Sequence, residues 1–202
     1  MGTPIATKAD VKLYASITSS NQDALIDSLI PACMTAIGTF CNRLFDSRTT
    51  VEYRNGNDAS RMQLANYPIV SVSSLKINGI SIPASINGSP GYIARAGGRT
   101  IALIGYTFFY GASNIEISLI AGYGDASLVN PWPTDLKLAL LAFVVARLRE
   151  REHIGMGSKT LAGESVSFAD ASSGPGADSL GIPNALRHIL MRYANTVPET
   201  GL

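Results

Sequence analysis

Apolar residues return at helical spacing near the start of the chain. In TKADVKLYAS, Thr7 stands three residues before Asp10 as in a capping box, and Val11 and Tyr14, with Leu13 beside them, form one apolar face. Ser20 and Asp23 repeat the capping pattern and open a longer helix. Along it Leu25, Ile26, Leu29, Ile30, Cys33, Ile37, Phe40, Cys41 and Leu44 recur with the same period, ending near Arg43 to Asp46. Pro31 lies inside this pattern, where it removes one backbone hydrogen bond, so a kink or a fresh start is expected there.

From about Thr49 the period drops to two. TVEYRNGNDASRMQLA reads as two strands flanking an Asn-Gly turn, and IVSVSSLKINGISI repeats the arrangement around Asn78-Gly79. GYIARAGGRTIAL and NIEISLIAGYG add further strands, with Ile115, Ile117 and Leu119 on one face and Glu116 and Ser118 on the other. After Pro131 and Pro133, Thr134 is placed to cap a third helix running to about Glu152, with Asp135 in its first turn. Leu138 to Ala146 is apolar on every side, so this helix should be surrounded by protein. Residues 155–181 are rich in Gly, Ser and Ala and read as a long loop or arm, and IPNALRHILMRYAN as a last short helix begun by Pro183. The fold class expected is α+β. A bundle of about four helices (about 7–46, 134–153 and 182–195) holds an inserted antiparallel sheet of hairpins (about 49–121), followed by a flexible arm, within one domain of residues 1–202.

Composition narrows the function classes. With 46% hydrophobic and 15% charged residues, 202 residues can bury one substantial core. The net charge of +1 supplies no general field toward nucleic acid or an anionic membrane. MGTPIATKAD lacks the basic and apolar regions of a secretory signal and reads as cytosolic, and Ala6 stands where myristoylation needs Ser or Thr. The longest apolar run is about half of the roughly 20 residues that span a bilayer, so no membrane partner is expected.

The glycine-rich segments do not carry chemistry. GYGDAS has no following lysine and two prolines before its helix, and in GMGSKT Ser158 separates Gly157 from Lys159, so neither matches a phosphate-binding loop. GYGDAS reads instead as a strand-to-helix bend, with Gly122 and Gly124 supplying backbone freedom. No GxSxG elbow is present. Cys33 and Cys41 read as buried thiols, and His153 and His188 have neither a metal-binding spacing nor an evident second ligand. A carboxylate pair can hydrolyse from any fold, and spacing singles out none of Glu52, Asp58 and Glu116. RLREREH with Arg187 and Arg192 is the best basic surface, but Glu150 and Glu152 neutralise it. No catalytic residue, cofactor or metal is assigned.

The order of the parts is more telling than any motif: AIGTFCNRLFD, then NYPIVSVSSLKINGI, then IEISLIAGYGD, then VNPWPTDLKLALLAFVVARLRERE, then ESVSFADASSG and IPNALRHILMRYA. Over about residues 7–193 the chain resembles the head-tail connector (adaptor, or head-completion) proteins of tailed bacteriophages. Pro31 and Gly38 depart from the helix formers expected in the second helix.

The resemblance implies a non-enzymatic virion protein at the head-tail interface, assembled in the host cytoplasm. Its partners would be further copies of itself in a ring, dodecameric on the portal, together with the portal protein and a downstream stopper or tail protein. Double-stranded DNA would pass through the lumen without sequence-specific binding. Residues expected at these interfaces are Arg147, Arg149, Arg151, Lys159, Glu164, Phe168, Arg187 and Arg192. The alternatives are a tail-completion or tail-terminator ring protein, a small hydrolase using paired carboxylates, or a carbohydrate- or cell-surface-binding β module.

Overall fold

The computed structural model describes residues 4–125, 129–152, 158–161, 164–167 and 180–195. The described residues divide into two compact units: a helical one drawn from residues 4–42 and 133–194, and a β unit drawn from residues 43–132 with Asn195.

In the helical unit, α1 (Lys8–Ala15) begins with the capping box that its sequence predicts. The Thr7 amide donates to the Asp10 carboxylate at 2.8 Å and the Asp10 amide to the Thr7 hydroxyl at 3.3 Å. α2 (Asp23–Phe40) departs from expectation at its start: Gln22 is the N-cap and makes no side-chain cap, while Asp23 pairs with Lys12 at 2.9 Å and Lys8 at 3.6 Å. Lysines of the preceding helix thus take the carboxylate that the capping pattern assigns to the helix end. Pro31 does not restart α2, which continues through it and turns Ile26, Cys33, Ile37 and Gly38 inward. Leu44, expected on the apolar face, is exposed. The 18 residues of α2 are long and apolar enough by composition to cross a membrane, with a mean hydropathy of 1.2, but Asp23, Asp27 and Ser28 interrupt one side.

α3 (Thr134–Glu152) packs against α1, α2 and α4 (Asn184–Met191) and forms the middle of the unit. Leu136, Leu140, Phe143 and Val144 are almost wholly buried, whereas Leu138 remains 50% exposed, so the helix is enclosed on most sides but not all. The lysine of its first turn, Lys137, reaches Asp10 at 3.0 Å, and Asp135 accepts a hydrogen bond from the Tyr193 hydroxyl beyond α4. Within the stretch expected as an arm, β8 (Ser158–Leu161) and β9 (Glu164–Ser167) pair as an antiparallel hairpin.

The β unit holds two antiparallel sheets. β1 (Arg48–Gly56), β7 (Gly111–Ala121), β3 (Ile69–Ile77) and β4 (Ile80–Ile82) form one, in that order, and β2 (Arg61–Gln63), β6 (Thr100–Ile104) and β5 (Gly91–Ala94) the other. The predicted hairpin β3–β4 forms, and the strands expected in GYIARAGGRTIAL pair with each other as β5 and β6. Asn78 and Gly79 both take positive φ, 52° and 78°, as a two-residue hairpin turn of that sequence requires. The hairpin expected around Asn55-Gly56 does not form, because β1 pairs with β7 while β2 joins the other sheet against β6. Ile115, Ile117 and Leu119 face inward along β7 as their alternation predicts and join Leu64, Leu75, Ile101 and Phe108 in the core.

Candidate functional site

CNRLF and AGYG, 80 residues apart, meet in the β unit. The Tyr123 amide donates to the Phe45 carbonyl at 2.7 Å, the Ser47 amide donates to the Tyr123 carbonyl at 2.9 Å, and the two rings stack with centroids 6.5 Å apart. Arg43 is buried, with its guanidinium 3.7 Å from the Tyr67 ring centroid and 4.7 Å from that of Phe45, and it donates to the Tyr67 carbonyl. Aromatic faces and a carbonyl compensate part of the cost of removing this cation from water, and its Nη1 is buried without a hydrogen-bond partner. Arg99 lies over Tyr67 at 4.3 Å and donates to Asn195 at 2.9 Å.

GYGD, the described part of GYGDAS, makes the bend its sequence suggests, while Ala126 and Ser127 lie outside the described residues. The amides of Gly122, Tyr123 and Gly124 donate to the carbonyls of Pro68, Phe45 and Asn130, so none of the three is left for a phosphate. Gly122 has φ 124°, and a Cβ there would stand 2.4 Å from the Asp46 carbonyl oxygen. Asp125 turns the chain by accepting from the amides of Val129 at 3.1 Å and Asn130 at 2.8 Å.

The three carboxylates left open by the sequence have local roles. Glu52, 6% exposed, accepts from the amides of Ala65 at 3.1 Å and Asn66 at 2.6 Å and from the Asn66 side chain at 2.8 Å. Glu116 pairs with Lys76 at 2.8 Å, and Asp58 accepts from the Tyr110 amide at 2.8 Å. Glu52 is opposite Ile117 and Glu116 opposite Tyr53, so the two glutamates face opposite sides of the sheet. Among the described residues no three His, Cys, Asp or Glu side chains converge on a metal site. Cys33 and Cys41 are buried and form no disulfide, and burial pushes Cys33 up to about 11, which makes it a poor nucleophile. His188 is exposed, while His153 lies outside the described residues.

Of the residues expected at interfaces, the side chains of Arg147, Arg149, Arg187 and Arg192 are described. Arg147 bonds Glu150 at 2.9 Å and the Leu180 carbonyl at 2.9 Å and lies over Phe143 at 5.4 Å, so it braces its own unit. Arg149 is exposed, Arg187 is half-buried, and Arg192 is exposed and 3.4 Å from Asp135. The backbones of Arg151, Lys159 and Glu164 lie in α3, β8 and β9, while their side chains and all of Phe168 lie outside the described residues.

The most exposed aromatic group was not singled out by sequence. The loop from β6 to β7, GYTFFY, sends Phe108 wholly into the core and leaves Tyr106, Phe109 and Tyr110 37%, 54% and 84% exposed. The signal available in the sequence was four aromatic rings in five residues between two glycines, without a charge.

No three potential metal ligands converge among the described residues, and the fold they build is α+β. The chain belongs to the head completion protein family, which matches residues 4–196, and so is a bacteriophage head-tail connector, as the order of its segments implied. Its fold is similar to that of a chain in the neck of an empty gene transfer agent particle computed with C6 symmetry. That likeness has 16% identity and a TM-score of 0.52, and covers 98% of this chain and 93% of that one. A chain in the virion of a native gene transfer agent particle is similar at 14% identity and a TM-score of 0.50, over 100% of this chain and 96% of the other. No curated protein matches.

Proposed function

We propose that this chain is a non-enzymatic subunit of a ring between portal and tail, which lengthens the DNA channel and offers a docking surface to the next connector or tail protein. The observation that carries the reading is the family match across residues 4–196. The fold likeness to a neck chain whose particle was computed with C6 symmetry supports it, because a sixfold axis accommodates rings of six or twelve copies. In the assembled particle the subunit resides in the virion, after assembly in the host cytoplasm. DNA passes without being read, in keeping with a net charge of +1. Arg149, Arg151, Lys159, Glu164, Phe168, Arg187 and Arg192 are candidates for contacts with neighbours, whereas Arg147 is occupied within its own unit.

Native mass spectrometry of the purified chain, alone and with the portal protein of the same particle over a concentration series, tests this. A closed oligomer, or assembly only on the portal, is expected. A strict monomer that ignores the portal overturns the proposal.

A further inference from the structure

Asn-Gly occurs at Asn55-Gly56, Asn78-Gly79 and Asn87-Gly88, and the fold treats the pairs differently. The dipeptide carries its own chemistry: with no Cβ to crowd it, the glycine nitrogen can approach the side-chain amide carbon of the asparagine before it and close a five-membered succinimide.

In the first pair both reacting groups are engaged. The Gly56 amide donates to the Asn114 side chain at 2.9 Å, and the Asn55 side-chain oxygen accepts from the Ser113 amide at 2.7 Å. The second pair closes the β3–β4 hairpin between the ladder partners Ile77 and Ile80. There the Asn78 amide donates to the Asn114 carbonyl at 2.8 Å, and the Asn78 side-chain oxygen accepts from the Asn114 side chain at 3.1 Å.

The third pair has nearly the same backbone as the second, with φ 52° and 81° at Asn87 and Gly88 against 52° and 78° at Asn78 and Gly79. Isoleucine precedes both, as Ile77 and Ile86. Asn87-Gly88 lies in the loop from β4 to β5, in a turn closed by the Ser89 amide on the Ile86 carbonyl at 3.0 Å. The Ser85 hydroxyl donates to the Ser89 carbonyl at 2.7 Å and the Ile86 amide to the Ser89 hydroxyl at 3.0 Å. These bonds span the pair without including it. Both residues are exposed, the space beside Gly88 is open, and neither the Asn87 side chain nor the Gly88 amide has a hydrogen-bond partner among the described residues.

We propose that Asn87-Gly88 is a site of spontaneous covalent modification, where Asn87 becomes aspartate or isoaspartate with water as the only co-reactant. The Gly88 nitrogen bonds to Asn87 Cγ and gives up its proton as the Cγ–Nδ2 bond breaks and ammonia leaves. Water then opens the ring. Attack at Cγ breaks its bond to the Gly88 nitrogen and yields aspartate, whereas attack at the main-chain carbonyl breaks the peptide bond and leaves the chain running through Cγ as isoaspartate. Either product puts a carboxylate in place of a neutral amide and lowers the net charge of +1 by one. Isoaspartate also adds a main-chain carbon to the turn.

The surroundings select the site, because the dipeptide is common to all three pairs. Cγ has to swing to the glycine nitrogen, so a held side chain must first let go. Asn78 has to release Asn114, and Asn55-Gly56 has to release two bonds, whereas Asn87 releases none. One such bond is worth about fivefold in rate, the equivalent of about 1 kcal/mol. The inference stands apart from the proposed ring and holds for a single chain.

The test incubates the purified full chain at mildly alkaline pH, folded and in urea sufficient to unfold it. Peptides are followed over time by mass spectrometry with electron-transfer fragmentation, which distinguishes aspartate from isoaspartate, and Asn87→Ser verifies the peptide assignment. In the folded chain conversion at Asn87 is expected to be about fivefold or more faster than at Asn78, with Asn55 no faster than Asn78. In urea the ratio between positions 87 and 78 should fall toward one. No conversion at Asn87, conversion as fast at Asn78 or Asn55 in the folded chain, or an undiminished preference for Asn87 in urea overturns the proposal.

Discussion

A Cβ at Gly56 would stand 1.7 Å from the carbonyl oxygen of Phe109. The end of β1 and the aromatic loop are therefore in backbone contact, with Asn114 bonding both. Replacing Gly56 with alanine must displace the loop or β1, since the opposing atom is backbone and cannot rotate away. Gly56→Ala is expected to cost about 2 kcal/mol or more, in the range of overpacking in a tight core, and to lower the melting temperature by several degrees. An unchanged melting curve would refute the contact.

Glu52 distinguishes a structural carboxylate from a catalytic one. Its two oxygens satisfy the amides of Ala65 and Asn66 at the edge of the core. Glu52→Ala leaves both donors without that acceptor and is expected to destabilise the fold by about 2–4 kcal/mol, measured by urea unfolding. Glu52→Gln keeps one acceptor oxygen and should cost less. Equal stability of Glu52→Ala and the unmodified chain would remove this role.

Leu141 is 5% exposed in the middle of α3. Leu141→Asp places a carboxylate among apolar neighbours and is expected to cost several kcal/mol, on the order of 3–5, or to prevent folding. Leu138→Asp, one turn earlier at a position 50% exposed, should cost much less. Thermal unfolding of the two variants gives the comparison, and a reversed order would contradict the orientation of α3.

Asp10 provides a pH-dependent link in the helical unit. Hydrogen bonds from the Thr7 backbone, from Lys137 and from the Thr7 hydroxyl lower its carboxyl from 3.8 to about 2. Because the folded value lies below the unfolded one, the carboxylate contributes stability above about pH 4 and loses it as pH falls through about 2. The contribution is at most about 1 kcal/mol, since the pair is partly open to solvent. The difference in unfolding midpoint between the unmodified chain and Asp10→Asn should therefore be present at pH 6 and vanish near pH 2, and a difference that grows on acidification would contradict the bonding.

The sequence by itself determined the elements whose cause is local. Thr7 and Asp10 cap α1 through bonds within four residues, Asn78-Gly79 closes its hairpin because both positions accept positive φ, and alternation along β7 selects the face that Ile115, Ile117 and Leu119 bury. The order of these elements was enough to point to the head-tail connector family. Tertiary structure decided whatever depends on distant partners. Asn55-Gly56 looked like a hairpin turn, but β7 offers β1 a long antiparallel partner, and the glycine serves the close approach of Phe109. Ser20 does not cap α2, because the helix begins at Asp23 with Gln22 as its N-cap, and the Asp23 carboxylate is held by Lys8 and Lys12. The exposed aromatic tip was hidden for the same reason. GYTFFY is apolar throughout, and only the bonds from Asn55, Asp58 and Asn114, brought together by the sheet, determine that Phe108 goes inward while Phe109 and Tyr110 stay in water.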